Sequence, residues 1–488
     1  MNKFYITTPI YYASGEPHIG HAFAVIFADA IARHKKQKDF DVFFLTGTDE
    51  HGSKIAEKAK TAGKNPQEYV DEISQLYADL WKLLQIQNSD FIRTTSERHK
   101  AGVEKFIEKL WQAGDIYQGE YEGLYCAGCE NFILEKDLAN GLCPDHLLKP
   151  ELVKEKNYFF NLKKYIPLIK EKINSDELKI IPESRKNEIL NILSANLPDF
   201  SVTREKVQWG IPFPYEKEQI IYVWADALIN YLSGLDFPDG EKFKKYWPAD
   251  AHIIGADINK FHSIYWPALL MSADVELPRK IFVHGLFTVN GQKMSKTLGN
   301  IIDPKILIEK FGSDAARYLL LSQFPAFEHG DINENGFMEK YNADLANGIG
   351  NLFERVFVMA RRFEIKESGL DDEVVKIINE TKEKYEKWME NFQLFEALKK
   401  VFVLVKFLDK YINEKQPWTL LTWISADQTR TSAELALILN SLILGVEEII
   451  VLLLPFMPSK MEAARNFLNR LKSGKIQPDE KLSLFPRG

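Results

Sequence analysis

Apolar positions near the amino terminus follow two rhythms in turn. KFYITT, from Lys3, is a compact run rich in β-branched and aromatic residues and predicts a strand. HIGHAFAVIFADAIARHKKQ, from His18, carries apolar residues at helical spacing and closes on a basic tail. DVFFLT is short and apolar throughout its aromatic centre, as expected of a strand covered on both faces. It runs into GTDEHG, and AEKAKTAGK predicts a further helix. Strand–helix–strand order implies a parallel sheet, with ligands bound beyond the carboxyl ends of its strands. Thr48, Asp49, Glu50 and His51 stand at one such end, beside the His18 junction if the two strands are neighbours.

From about Asp115 to Gln219 the pattern changes to turns, aromatics and clustered cysteines, which predicts an insertion interrupting the sheet. Strand-like runs resume with IIYVWADA, AHIIGAD and KIFVHGLFTV, the last followed by an Asn-Gly turn signal. After about Tyr341 the apolar residues of NLFERVFVMARRF, LFEALKKVFVLVKFLDKYI and ELALILNSLILGVEEIIVLLLPF keep helical spacing. The predicted fold is α/β: a split, doubly wound, Rossmann-like parallel sheet with a cysteine-bearing insertion, followed by an all-α helical bundle. Its expected parts are a first half of the sheet domain at 1–115, the insertion at 116–219, the second half of that domain at 220–340 and the bundle at 341–488.

Composition narrows the class without changing this picture. A chain of 488 residues exceeds one hydrophobic core, and 45% hydrophobic with 27% charged residues is ordinary for a globular protein. No apolar run is read as approaching the ~20 residues of a membrane span, and MNKFYITTPIYY lacks a secretory leader's pattern. A cytoplasmic protein with no membrane partner is therefore expected. A net charge of −7 argues against a protein that coats nucleic acid non-specifically, while leaving room for RNA met through local patches. All three cysteines lie between Cys126 and Cys143, an odd cluster that suits a metal better than disulfides.

Three stretches carry chemistry. His18, Gly20 and His21 stand where a strand hands over to a helix, whose amino terminus offers unpaired N–H groups to phosphate. Two imidazoles there can donate to a phosphorus centre as charge builds on it. As a lone motif this is only suggestive, since two histidines can simply cap a helix. GQKMSKTLGN then places Lys293 and Lys296 on one loop, able to fold over a triphosphate and offset the charge of departing pyrophosphate. Most such lysine pairs are solvated loops, but both motifs coincide by chance in only about one chain in several thousand. In YCAGCENFILEKDLANGLCPDHL, Cys126, Cys129, Cys143 and His146 offer three thiolates and an imidazole to a tetrahedral zinc. Four protein ligands close the shell, so that zinc is structural.

The histidine motif followed by KMSKT resembles the signature pair of class I aminoacyl-tRNA synthetases. TTPIYYASGEPHIGH, FFLTGTDEHG, YVWADALINYL, HIIGADINKFHSIYWPALL and the single zinc knuckle are similar to the methionyl-tRNA synthetase family in particular, from residue 4 to about 420. The resemblance implies ATP-dependent activation of methionine and its transfer to tRNA(Met), with Mg2+ accompanying ATP. It implies that His18, Gly20, His21, Gly255, Asp257, Lys293 and Lys296 meet ATP, His18, His21, Lys293 and Lys296 being catalytic. Ile10, Tyr12, Trp224, Ala227, Tyr231, Ile258 and His262 would line the methionine pocket, and Asp49 would take the ammonium. A thioether packs well on aromatic rings, and Tyr12 and His262 are expected to offer weak polar contacts to its sulfur. By spacing, Trp224, Ala227 and Tyr231 fit a core helix equally well. In the bundle, Asn351, Arg355 and Trp418 match positions that read the CAU anticodon, where an indole can stack on unpaired bases.

Two departures stand out. Ala256 replaces the family's usual lysine before Asp257, removing a charge near the nucleotide, and Thr297 ends the lysine motif in place of serine. A cysteinyl- or leucyl-type synthetase would share both class signatures, and a catalytically silent RNA-binding relative remains a reading from another class. A monomer is the expected assembly.

Overall fold

The computed structural model describes residues 2–126, 131–133, 135, 138–144, 148–195, 197–289, 291–294, 300–362, 369–423, 428–476 and 480–486. It divides into two compact units, Met1–Lys82 with Ile86–His284, and Leu83–Gln85 with Gly285–Gly488.

The first unit is built on a six-stranded parallel sheet. Its order is Asp90–Arg93, Asp41–Asp49, Lys3–Tyr12, Ala251–Gly255, Lys280–His284 and Lys179–Ile181. Consecutive residues in these strands are buried on both faces: Tyr5, Ile6, Phe44, Leu45, Ile253 and Ile254 have no exposed surface. That is why the strands read as continuous apolar runs and not as alternation. The chain first builds outward on one side of Lys3–Tyr12 and later returns on the other side with Ala251–Gly255. The order therefore reverses between these two strands, and the crevice beyond Tyr12 and Gly255 is where such sheets bind ligands. Helix Ile19–Gln37 covers one face, with Phe27 stacked on Phe282 at 4.8 Å between centroids.

Three expectations need correction. IIYVWADA is not one strand. Glu216–Ile221 pairs in a small antiparallel sheet with Pro212–Phe213 and Thr203–Arg204, and the chain then turns into helix Val223–Leu228. Nor is KIFVHGLFTV, because only Lys280–His284 joins the parallel sheet. Phe287–Val289 pairs elsewhere, after a close approach in which a Cβ on Gly285 would lie 1.9 Å from the Glu328 carbonyl. The segment 116–219 is also not wholly an insertion. Its antiparallel sheet, led by Ile116–Cys126 and Glu151–Phe160, is followed by Lys179–Ile181, which returns to the parallel sheet as its edge.

In the second unit Phe287–Val289 and Gln292–Lys293 form a hairpin across the expected turn, where Gly291 takes φ 75°. Gly330–Ile332 adds a parallel strand, and among the described residues only helices follow it. They include Asn351–Arg362, Asp372–Glu390, Leu394–Lys415, Gln428–Leu453 and Pro458–Lys472. The fully buried Arg317 donates to the carbonyls of Leu84, Pro455 and Phe456, so its charge is met by helix-end oxygens. Ser432–Leu453 is, against expectation, long and apolar enough to cross a membrane by length and composition, because Glu447 and Glu448 are its only late charges. Within its most apolar window 61% of the residues are buried, which marks a core helix of the bundle.

Candidate active site

His18 is the N-cap of helix Ile19–Gln37 in an unusual capping box built from imidazoles. Nδ1 of His18 accepts from the Gly20 N–H at 3.1 Å, and Nδ1 of His21 accepts from the His18 N–H at 3.1 Å. A ring nitrogen that accepts carries no proton, so each neutral imidazole holds its proton on Nε2. The two rings stack at 3.7 Å between centroids. Both N–H donors thus belong to the helix amino terminus, at the crevice where the strand order reverses. Behind His21 stands an aromatic wall: Tyr11 meets it edge-on at 5.0 Å, stacks on Tyr77 at 5.5 Å and touches Trp81 at 5.4 Å. The Tyr77 hydroxyl lies 3.3 Å from Nδ1 of His21.

Across the crevice, Asp257 is exposed just after Ala251–Gly255. A Cβ on Gly255 would lie 2.5 Å from Asp257 Oδ1, so glycine is what lets this carboxylate fold back over the strand end. Register places Ile10 opposite Gly47 and Tyr12 opposite Asp49 on the neighbouring strand. The next residue, Glu50, is buried, and its carboxylate accepts from Thr48 at 2.6 Å, from Arg93 at 2.7 and 3.0 Å, and from Thr95 at 2.5 Å. This fixes the strand end that carries Asp49. A small open pocket lies beside it, lined by Gly52, Ser53, Trp209, Tyr222 and Val223 among others.

Of the predicted methionine residues, Trp224 and Ala227 lie on helix Val223–Leu228, Tyr231 on Asn230–Ser233, and Ile258 and His262 in the helical turns after Gly255. Trp224 stacks face to face on Phe261 at 3.7 Å. The Tyr231 hydroxyl donates to Nε2 of His262 at 2.7 Å, while Nδ1 of His262 donates to the Ile258 carbonyl at 3.0 Å. Burial lowers the His262 pKa to about 4, so the ring is neutral at physiological pH. Both its nitrogens are engaged in these two hydrogen bonds, which hold the ring against Tyr231. Ala227 and Tyr231 are buried, whereas Ile10, Trp224 and Ile258 are partly exposed at the edge of the same core.

The remaining predicted groups are carried by other elements. Lys293 ends the short strand of the hairpin, whose turn is pinned by Asp331 accepting from Gly291 N–H at 2.7 Å. Lys296 and Thr297 lie outside the described residues, as do Cys129 and His146. Cys126 and Cys143 are both buried. In the second unit Asn351 is exposed at the start of its helix, and Arg355 donates to Asp409 at 2.6 Å and Asn413 at 2.7 Å. The Arg355 guanidinium lies 5.8 Å from the ring of Trp418, whose indole is 41% exposed and so open to a stacking partner. Arg355 is therefore not the solvated partner of Asn351 that an i, i+4 spacing allows.

A family model described as tRNA synthetases class I (M) matches residues 4–149 and 136–357. A methionine–tRNA ligase of Thermotoga maritima is 42% identical over 472 residues, covering 94% of this chain and 74% of the relative. Another, of Bacillus subtilis, is 41% identical across 100% of this chain and 78% of its own length. The chain belongs to the methionyl-tRNA synthetases. The solved structure of the Mycobacterium tuberculosis family member in complex with methionyl-adenylate matches with a TM-score of 0.94 at 34% identity, covering 100% of both chains. Membership sets aside the cysteinyl- and leucyl-type alternatives.

Sequence reasoning missed the wall of Tyr11, Tyr77 and Trp81 behind His21, and the buried hydrogen-bond system joining His51, His99 and Asp226. The i, i+4 pair Tyr77 and Trp81 was visible as helical spacing, but nothing local says which element such a face covers.

Proposed function

We propose that the protein forms methionyl-adenylate from methionine and ATP, then transfers the methionyl group to tRNA(Met) in translation in the cytoplasm. Besides family membership, the observation that carries this reading is the mutual capping of His18 and His21 at the reversal of strand order. It orients both rings, each with its proton on Nε2, at the strand ends where a nucleotide's phosphates would lie. Asp49 would hold the ammonium of methionine, with the side chain against Tyr12, Trp224, Ala227 and Tyr231. The substrate carboxylate then attacks the α-phosphate, a new C–O–P bond forms, and pyrophosphate leaves.

His18 and His21 would donate to oxygens gaining charge in that transition state, and Lys293 and Lys296 would offset the charge of the leaving group. No side chain acts as a covalent nucleophile: the catalysis is positioning plus electrostatic stabilisation. Mg2+, bound with ATP, would neutralise phosphate charge. Asp257 would accept from the ribose hydroxyls. In the second step a terminal ribose hydroxyl of the tRNA, the 2′ group in this class, takes the methionyl group. Asn351, Arg355 and Trp418 would receive the splayed bases of the CAU anticodon. Cys126, Cys129, Cys143 and His146 would hold one zinc ion; the buried thiols of Cys126 and Cys143 fit a soft tetrahedral ion that organises the knuckle. Nothing in the scheme requires a second copy of the chain, and a monomer is the proposed assembly.

The test is ATP–pyrophosphate exchange with the purified protein across the full amino-acid set. Methionine should drive exchange well above every other amino acid. Exchange driven by cysteine or leucine and not by methionine would reject the substrate, and no exchange with any would favour a catalytically silent RNA-binding protein.

A further inference from the structure

Asp226 stands on helix Val223–Leu228 between Trp224 and Ala227, and no part of it is exposed. Its carboxylate is shared between two imidazoles. Oδ2 accepts from Nδ1 of His51 at 2.6 Å, and Oδ1 accepts from Nε2 of His99 at 2.7 Å. His51 follows closely on Asp49 in the loop that leaves Asp41–Asp49, whereas His99 belongs to helix Glu97–Gln112. Nδ1 of His99 lies 2.7 Å from Ser233 Oγ, on the helix that carries Tyr231. On its other side His51 meets Trp209 edge-on at 5.7 Å, and Trp209 Nε1 donates to the Glu50 carbonyl at 2.6 Å.

Burial pushes the Asp226 carboxyl up, but the two imidazoles outweigh it and hold the pKa at about 2. The group is therefore ionised at neutral pH. Packing by itself does not call for a charge at this place, since an apolar side chain of similar volume fills the space without desolvating a carboxylate. What the carboxylate adds is direction. Each oxygen fixes one imidazole, and through the imidazoles the loop of His51 and the helix of His99 are both held against the helix of Trp224 and Ala227.

We infer that Asp226 is a positioning residue for methionine: holding His51 and His99 on its two oxygens, it sets the spacing between Asp49 and the pocket of Trp224, Ala227 and Tyr231. This rests on the methionine reading given above. A ligand that uses both ends of that spacing depends on the bridge, and a ligand that uses one end does not.

The experiment compares methionine with 4-(methylthio)butanoate, which keeps the thioether and carboxylate but lacks the ammonium. Dissociation constants are measured by calorimetry on wild type, Asp226→Asn and the milder Ser233→Ala, with melting curves to establish folding. Asp226→Asn should weaken methionine about 10- to 100-fold, the cost of a misplacement near 1 Å. It should leave the des-amino analogue and the KM for ATP unchanged. Ser233→Ala, which loosens His99 only, should show a smaller loss with the same selectivity, and carries the test if the asparagine variant does not fold. Equal weakening of both ligands in a folded variant, or methionine affinity unchanged in both variants, would overturn the inference. A wild-type chain without methionine-dependent exchange would instead overturn the functional reading beneath it.

Discussion

Replacing His18 separates the two tasks that its ring performs. Nδ1 caps the helix by accepting from Gly20 N–H at 3.1 Å, and Nε2–H is the donor proposed for phosphate. In His18→Asn the side-chain oxygen falls near the position of Nδ1, and asparagine is among the best N-caps, so the cap should survive while the distal donor is lost. Gln places its amide one bond farther out, near Nε2, so the distal N–H is approximated and the cap is broken. Loss of an N-cap costs about 1 kcal/mol, or roughly 2–4 °C in melting temperature for a unit of this size. Removing one donor from a preorganised site costs on the order of 100- to 1000-fold in kcat. His18→Asn should therefore melt like wild type and lose about that factor in methionine-dependent pyrophosphate exchange. His18→Gln should melt lower and keep more of the activity. Calorimetry and exchange kinetics on the same preparations decide it. Full exchange activity in His18→Asn would refute the donor role and reduce the imidazole to a cap.

Trp418→Ala should weaken tRNA charging by the worth of one stacked base, about 1–3 kcal/mol, while tRNA-independent exchange stays at the wild-type rate. A parallel fall in both reactions would show that the indole supports the fold. His262, lowered by burial from 6.5 to about 4, contributes stability that is complete above pH 6.5 and is lost as pH falls towards 4, because the unfolded chain takes up its proton first. The loss amounts to about 3 kcal/mol over that window, and in His262→Gln the melting temperature should fall less steeply between pH 6.5 and 4 than in wild type. Metal analysis should find one zinc per chain, and Cys126→Ser should lose it together with the knuckle's protection from protease. A metal-free wild type that resists protease equally well would remove zinc from the account.

Local chemistry made the beginning of this chain legible. Lys3–Tyr12 and Asp41–Asp49 are runs of apolar residues because both faces of a parallel strand are covered, and His18 is readable as a helix start because capping depends on neighbours in sequence. The bundle helices were legible for the same reason, since a stripe repeating every turn is a local signal. The runs IIYVWADA and KIFVHGLFTV failed, because each crosses from one sheet or element to another inside an unbroken apolar stretch. Composition does not mark where a strand changes partner.

By itself, then, the sequence determined which residue types stand together at each strand end: two imidazoles and a glycine after the first strand, an aspartate and a histidine after the second. Only the tertiary structure decided that these ends are neighbours, that Lys179–Ile181 closes the sheet's edge, and that Asp226 receives His51 and His99 from distant parts of the chain. The reason is physical. A cap or an amphipathic stripe is an interaction between near neighbours and leaves a periodic trace, whereas strand order and a shared buried carboxylate come from non-local burial, which leaves none.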